Sequence, residues 1–73
     1  MYDYSKLRGR IVEKYGTLKN FSAAIGLTPT TLGKKVTNKA GWSQDEVLEA
    51  SRLLDIKDTE FASYFFTKKV EIS

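Results

Sequence analysis

Residues 17–37 read TLKNFSAAIGLTPTTLGKKVT, and this stretch decides the fold. Thr17 supplies a capping hydroxyl before Leu18–Ile25, a helix of about two turns, too short to persist alone. Phe21, Ala24 and Ile25 fall on its inward face, with small Ser22 and Ala23 beside them. Gly26 stops the helix, since a residue without a side chain enters the left-handed conformation at no steric cost. Leu27 follows as an apolar plug. Thr28-Pro29 then restarts the chain. Proline needs no N–H at a first helical position, and it holds the residue before it in the extended region where a cap sits. The second helix is expected to run to about Thr37. Two short helices crossed over a glycine-containing turn make a helix-turn-helix.

Working outward, Tyr4, Leu7, Ile11, Val12 and Tyr15 lie on one face of a 3.6-residue period, so a helix precedes the motif. Asp3 or Ser5 caps its start and Gly16 ends it. Lys6, Arg10, Glu13 and Lys14 fall on its outer faces. After an Asn38–Gly41 loop, Ser43 and Glu46 match a capping box, and Trp42 with Val47 a hydrophobic staple. This predicts a fourth helix with Val47, Leu48, Ala50, Ser51 and Leu54 inward. Asp58 caps a fifth, carrying Phe61, Tyr64, Phe65 and Phe66. Residues 67–73 alternate in polarity, which favours an extended segment. The expectation is an all-α fold of five short helices with an extended C-terminal segment, forming one domain over residues 1–73 of an 8.3 kDa chain.

Charge is divided along the chain. Residues 1–41 hold eight bases and two acids, a net +6, whereas residues 42–73 hold four bases and seven acids, a net −3. No acid lies between Glu13 and Asp45. A domain with one basic half turns that half toward an anion, of which nucleic acid is the commonest large example in a cytoplasm.

Other chemistry is excluded or disfavoured. The chain has no cysteine and no histidine, which removes disulfides, Cys/His metal sites and His-based nucleophilic dyads. No metal, cofactor or small-molecule substrate is expected, and no enzymatic activity. Asp45, Glu46 and Glu49 gather at a helix start, where capping and the helix dipole account for them. No apolar run approaches the roughly 20 residues that span a bilayer, and the N-terminus lacks the apolar core of a secretion signal. A cytoplasmic location with no membrane contact is expected.

On a helical wheel, Thr28, Leu32 and Val36 define the buried stripe of the helix that starts at Pro29. The opposite face is small, polar and basic. On this face base reading is expected from Thr30, Gly33 and Lys34. Lysine donates to guanine O6 or N7, threonine offers a hydroxyl and a methyl, and glycine permits close approach. Backbone contacts are expected from Thr17, Lys19 and Asn20 at a helix start, and from Thr37, Asn38 and Lys39 after the motif. Lys35 lies near the buried stripe and is expected to lay its stem over the core edge. Most aromatics sit at core spacing. Tyr64-Phe65-Phe66 followed by Val70 and Ile72 leaves an apolar surplus, and Tyr64, Phe66, Val70 and Ile72 are expected at a homodimer interface.

Several segments resemble the Cro/C1-type helix-turn-helix proteins of phages, and most of all the small Cro-like proteins of Gram-positive phages. They are YSKLRG at 4–9, YGT at 15–17, Phe21, IGLT at 25–28, Thr31-Leu32, Gly41-Trp42 and YFFT at 64–67. The resemblance implies a compact lambda-repressor-like domain that binds operator DNA as a dimer and represses transcription, and it adds Pro29 and Thr31 to Thr30 and Lys34 as base-reading positions. Two positions depart from the pattern. Leu18 stands where the family often has a phosphate-binding glutamine, and Lys35 where it has an aliphatic residue, with Val36 taking the packing role. The sequence also admits a protein-interaction module, such as an anti-repressor, using the acidic half and the aromatic tail.

Overall fold

A computed structural model describes residues 1–69. Five α-helices follow one another: α1 (Ser5–Tyr15), α2 (Leu18–Ile25), α3 (Pro29–Lys35), α4 (Gln44–Leu53) and, after a single 3-10 turn at Asp58–Glu60, α5 (Phe61–Phe65). The fold is all-α. α2 is central, packing on α1, α3 and α4, while α5 closes the other side against α1 and α4. The buried cluster takes Tyr4 from the cap position of α1, Leu7 and Ile11 from α1 itself, Phe21 from α2, and Leu32 and Val36 around α3. It is completed by Val47, Ala50 and Leu54, then Ile56, Tyr64 and Phe65. No helix among the described residues is long and apolar enough to cross a membrane.

Local start and stop signals explain most boundaries. Thr17 accepts from the Asn20 amide and Thr28 from the Thr31 amide, each with extended cap geometry. Gly26 adopts φ 78°, ψ 24°, the left-handed conformation that ends α2. The Ser43–Glu46 capping box is complete. Asp3 works one residue earlier than a cap. Its carboxylate accepts the Ser5 amide at 2.9 Å, while Tyr4 occupies the cap position without a side-chain bond. α3 stops at Lys35 rather than Thr37, because the Lys39 and Ala40 amides both turn back to the Lys34 carbonyl. Asn38 enters the left-handed region there at φ 65°.

Three inward placements and one outward placement differ from the wheel. Val12 and Leu48 are 53% and 56% exposed, and Ala24 is also exposed. Each lies at the margin of its stripe, where the neighbouring helix does not reach. Arg10, expected outside, is half-buried. It donates through Nε to the Leu54 carbonyl at 2.9 Å, satisfying the orphaned end of α4. Arg8 does the same for α3, with Nη1 at 2.8 Å from the Val36 carbonyl.

The C-terminal segment is extended as far as it is described. It folds back on its own N-terminus: the Asp3 amide donates to Thr67 O at 2.7 Å and the Lys69 amide to Met1 O at 3.0 Å, around a Tyr2–Lys68 antiparallel bridge. Tyr64 is 8% exposed and belongs to the core, with Lys6 Nζ 4.6 Å from its ring centre. It is therefore not open to a second copy, contrary to expectation. Phe66 is 54% exposed. Val70 and Ile72, expected beside it at the interface, lie outside the described residues.

Candidate nucleic-acid interface

The α2–turn–α3 unit carries the expected DNA-facing residues, and its chemistry is narrower than the sequence suggests. Pro29, Thr30 and Lys34 are exposed on α3, with Thr31 and Gly33 half-exposed beside them. A Cβ added at Gly33 would meet nothing within 4 Å, so this position is open surface. Thr31 Oγ1 receives a hydrogen bond from Thr28 Oγ1 at 2.9 Å, which ties it to the cap. Thr37 Oγ1 donates to Gly33 O at 2.7 Å. The side-chain donors on α3 without an acceptor among the described residues are the Thr30 hydroxyl, the Lys34 ammonium and the proton of the Thr31 hydroxyl, whose oxygen alone is engaged.

The expected backbone contacts divide in the same way. Lys19, at the start of α2, and Lys39, after α3, are exposed and make no side-chain hydrogen bond among the described residues. Thr17 spends its oxygen on the Asn20 amide. The Asn20 side chain donates to Tyr15 O at 2.9 Å. Asn38 is turned inward: its Oδ1 accepts the Tyr2 amide at 2.8 Å and its Nδ2 donates to the Tyr2 carbonyl. It fastens the N-terminal segment to the loop after α3.

The basic half is therefore less available than its net charge implies. Arg8 and Arg10 hold helix ends, Lys14 pairs with Asp55 at 3.0 Å, and Lys35 is 9% exposed. Lys35 Nζ reaches the Gly41 carbonyl at 2.8 Å and Glu46 Oε1 at 2.9 Å, while Trp42 Nε1 returns a bond to Lys35 O. The same Glu46 oxygen accepts the Ser43 amide, and that bond is the largest single cause, with Lys35 adding to it, that lowers the Glu46 pKa below its ordinary value. Lys19, Lys34 and Lys39 remain to meet an anion on the motif. Sequence reasoning placed Lys35 at the core edge but did not foresee Arg8 and Arg10 as caps. The only signal for them was their position on α1 within reach of two later helix ends.

A second surface was missed. Leu48 and Phe66, both exposed, line a groove of about 430 Å³ between α4 and α5 with Trp42, Val47 and Phe61. The inward assignment of Leu48 concealed it.

Fold and surface together define a small all-helical protein with a helix-turn-helix unit in its basic half. The chain belongs to the family described as protein of unknown function, DUF739, whose profile matches residues 1–68. This is the family shown, where the sequence resemblance pointed to Cro/C1 repressors. The chain is also similar to the modulator of repression (MOR) of the temperate bacteriophage TP901-1 from Lactococcus lactis, known from a solution structure. The two are 43% identical, with a TM-score of 0.81, over 96% of this chain and 95% of that one. No curated protein is significantly similar to it.

Proposed function

We propose that this chain is a phage regulatory protein that modulates repression by binding duplex DNA through α2 and α3. The observation that carries the regulatory part is the 43% identity to a phage modulator of repression over nearly the whole of both chains. The DNA part is supported by the acid-free helix-turn-helix and its three uncommitted lysines. In this reading α3 enters the major groove, Lys34 donates to a guanine edge, and Thr30 meets a neighbouring base. Lys19, Lys39 and the amides at the start of α2 hold phosphates on either side. One chain, 37 Å in its longest dimension, presents a single α3. Reading two half-sites about 34–36 Å apart takes two copies. Bound at an operator, the pair excludes polymerase. The reading involves no catalytic step, metal or cofactor, and places the protein in the bacterial cytoplasm.

Selection from a random duplex library near physiological salt tests it. Enrichment of an inverted repeat with half-sites one helical turn apart supports the reading. Retention at low salt alone, with no enriched sequence, overturns it, since phosphate attraction without base reading has that signature.

A second reading, as a module that binds another regulatory protein, is favoured by one observation. Thr37, the Asn20 Nδ2 and both ends of the Asn38 amide are spent inside the protein, leaving α3 three small side-chain donor groups, Thr30, Thr31 and Lys34. Each good bidentate base contact is worth about 1–3 kcal/mol, so such a face discriminates weakly among sequences.

A further inference from the structure

Exposed large apolar side chains are not scattered over this protein. Among the described residues they are Met1, Tyr2, Val12, Leu48 and Phe66, and all but Val12 line two adjoining grooves that share Trp42 and Phe66. A contiguous patch of this kind marks an interaction surface. The groove between α4 and α5 has no charged residue in its lining, but three acids lie next to or within three residues of lining residues along the chain. Asp45 follows Gln44 and lies one turn before Leu48. Asp58 and Glu60 lead directly into Phe61. Glu46, Glu49 and Asp55 each pair with a cation of the chain, whereas Asp45, Asp58 and Glu60 pair with none among the described residues.

We infer that this groove docks an amphipathic helix of another protein whose apolar stripe is flanked by basic residues. An apolar floor with acidic edges is the complement of such a helix: the stripe buries against Trp42, Leu48 and Phe66, and the flanking cations meet the three carboxylates. A second copy does not fit in a two-fold arrangement. The same patch would face itself, bringing each set of unpaired carboxylates against the other. The inference rests on the protein-partner reading, for which it names the surface and the partner's chemistry.

The test uses the full chain and two synthetic helical peptides with one shared leucine/phenylalanine stripe, flanked by lysine and arginine in one and by glutamate in the other. Trp42, the sole tryptophan, reports occupancy by fluorescence, and backbone amide shifts locate it. The basic peptide should bind at Leu48 and Phe66 and change Trp42 emission, with the acidic peptide at least roughly tenfold weaker. Leu48→Ser, at an exposed position that leaves the fold intact, should weaken binding, and D45K with D58K should invert the preference. The inference is overturned if both peptides bind alike, if neither binds, if the shifts fall on α3, or if Trp42 emission follows the chain's own concentration without peptide. Duplex retention by Leu48→Ser, which changes no charge, is expected to be unchanged, so failure here leaves the DNA reading to be judged separately.

Discussion

The Lys35 ammonium and the Glu46 carboxylate meet at 2.9 Å, and through them the end of α3 is fastened to the start of α4. The glutamate is also the reciprocal half of the Ser43 capping box, and the lysine also holds the Gly41 carbonyl. Two neighbouring lysines therefore have unrelated roles. Lys34 stands in solvent on the α3 face, and Lys35 closes the loop behind it. Replacing Lys35 by Met keeps the aliphatic stem and removes the ammonium, leaving a partly buried carboxylate and a carbonyl without their donor. The expected loss is about 1–3 kcal/mol, read in urea denaturation. Lys34→Met should lie within about 0.5 kcal/mol of the parent, as exposed substitutions do. Equal losses in the two variants would contradict this division.

Acid should unfold the protein from one side. Glu46, Asp3 and Asp55 are all held below their ordinary pKa values. The Ser43 amide is the main cause for Glu46, the Ser5 hydroxyl for Asp3, and the Lys14 ammonium for Asp55. A carboxyl with a depressed folded pKa binds fewer protons folded than unfolded. Its stabilisation is thus complete above the unfolded value and is lost as pH falls through the folded one. Stability should be flat near neutrality and decline as pH drops through and below the ordinary carboxylate range. With no histidine in the chain, no side chain with an ordinary pKa between about 5 and 8 contributes. Thermal melts across pH 3–8 check this, and Glu46→Gln should flatten the acid limb. A limb unchanged in that variant would remove Glu46 from the account.

Ser51 presents the opposite case, a buried hydroxyl with no hydrogen-bond partner in the interior of α4. Desolvating such a group without a bond costs about 1–3 kcal/mol, and alanine is also the better helix former. Ser51→Ala should raise stability by about 1 kcal/mol, which for a domain of this size is a rise of about 4–8 °C in Tm. A fall in Tm would show that the hydroxyl is satisfied in solution.

The parts of this fold that were legible in the sequence are those governed by neighbours in the chain. Thr17, Gly26, Thr28-Pro29 and the Ser43–Glu46 box act within one turn, so residue order specifies them. Leu48 and Val12 were misplaced because a wheel gives the direction of a side chain but not how far the facing helix extends. Asn38 was misread for a related reason. A polar residue after a basic helix suits a phosphate, and nothing in its own neighbourhood reveals that Tyr2, 36 residues away, will take both ends of its amide. Arg8 and Arg10 gave the same difficulty, since bases on an outer face look alike until a distant carbonyl is brought beneath them. The candidate site was therefore legible in its location and overestimated in its chemistry.

Asn38 separates two contributions at one position. Its backbone is left-handed at φ 65°, a conformation asparagine tolerates and most residues resist, and its amide clamps Tyr2. Asn38→Gly keeps the backbone freedom and removes the clamp. Asn38→Ala loses both. The expected costs are about 1 kcal/mol for glycine and about 2 kcal/mol for alanine. Hydrogen exchange at the Asp3 and Lys69 amides, which depend on the N-terminal segment staying in place, should speed up in both variants. Unchanged exchange at those amides would mean that the Thr67–Lys69 pairing holds the segment without Asn38.

The three uncommitted lysines make distinct predictions for DNA. A lysine that neutralises a phosphate releases counterions, so losing it weakens every duplex alike and lowers the slope of log K against log salt by about 0.9. A lysine that reads a base edge leaves much of its signature in discrimination between sequences. Lys19→Ala and Lys39→Ala should each flatten the salt dependence with sequence preference kept. Lys34→Ala should narrow the gap between the selected site and random duplex, with a loss of about 1–3 kcal/mol on the selected site alone. Arg8 and Arg10 are charged neighbours of the same half but hold carbonyls of α3 and α4, so their lysine variants should alter stability before the salt slope. The measurement is binding to one selected and one scrambled duplex over a salt series. If Lys34→Ala weakened both duplexes equally and flattened the slope, Lys34 would be a phosphate contact, and α3 would have no charged base-reading residue left.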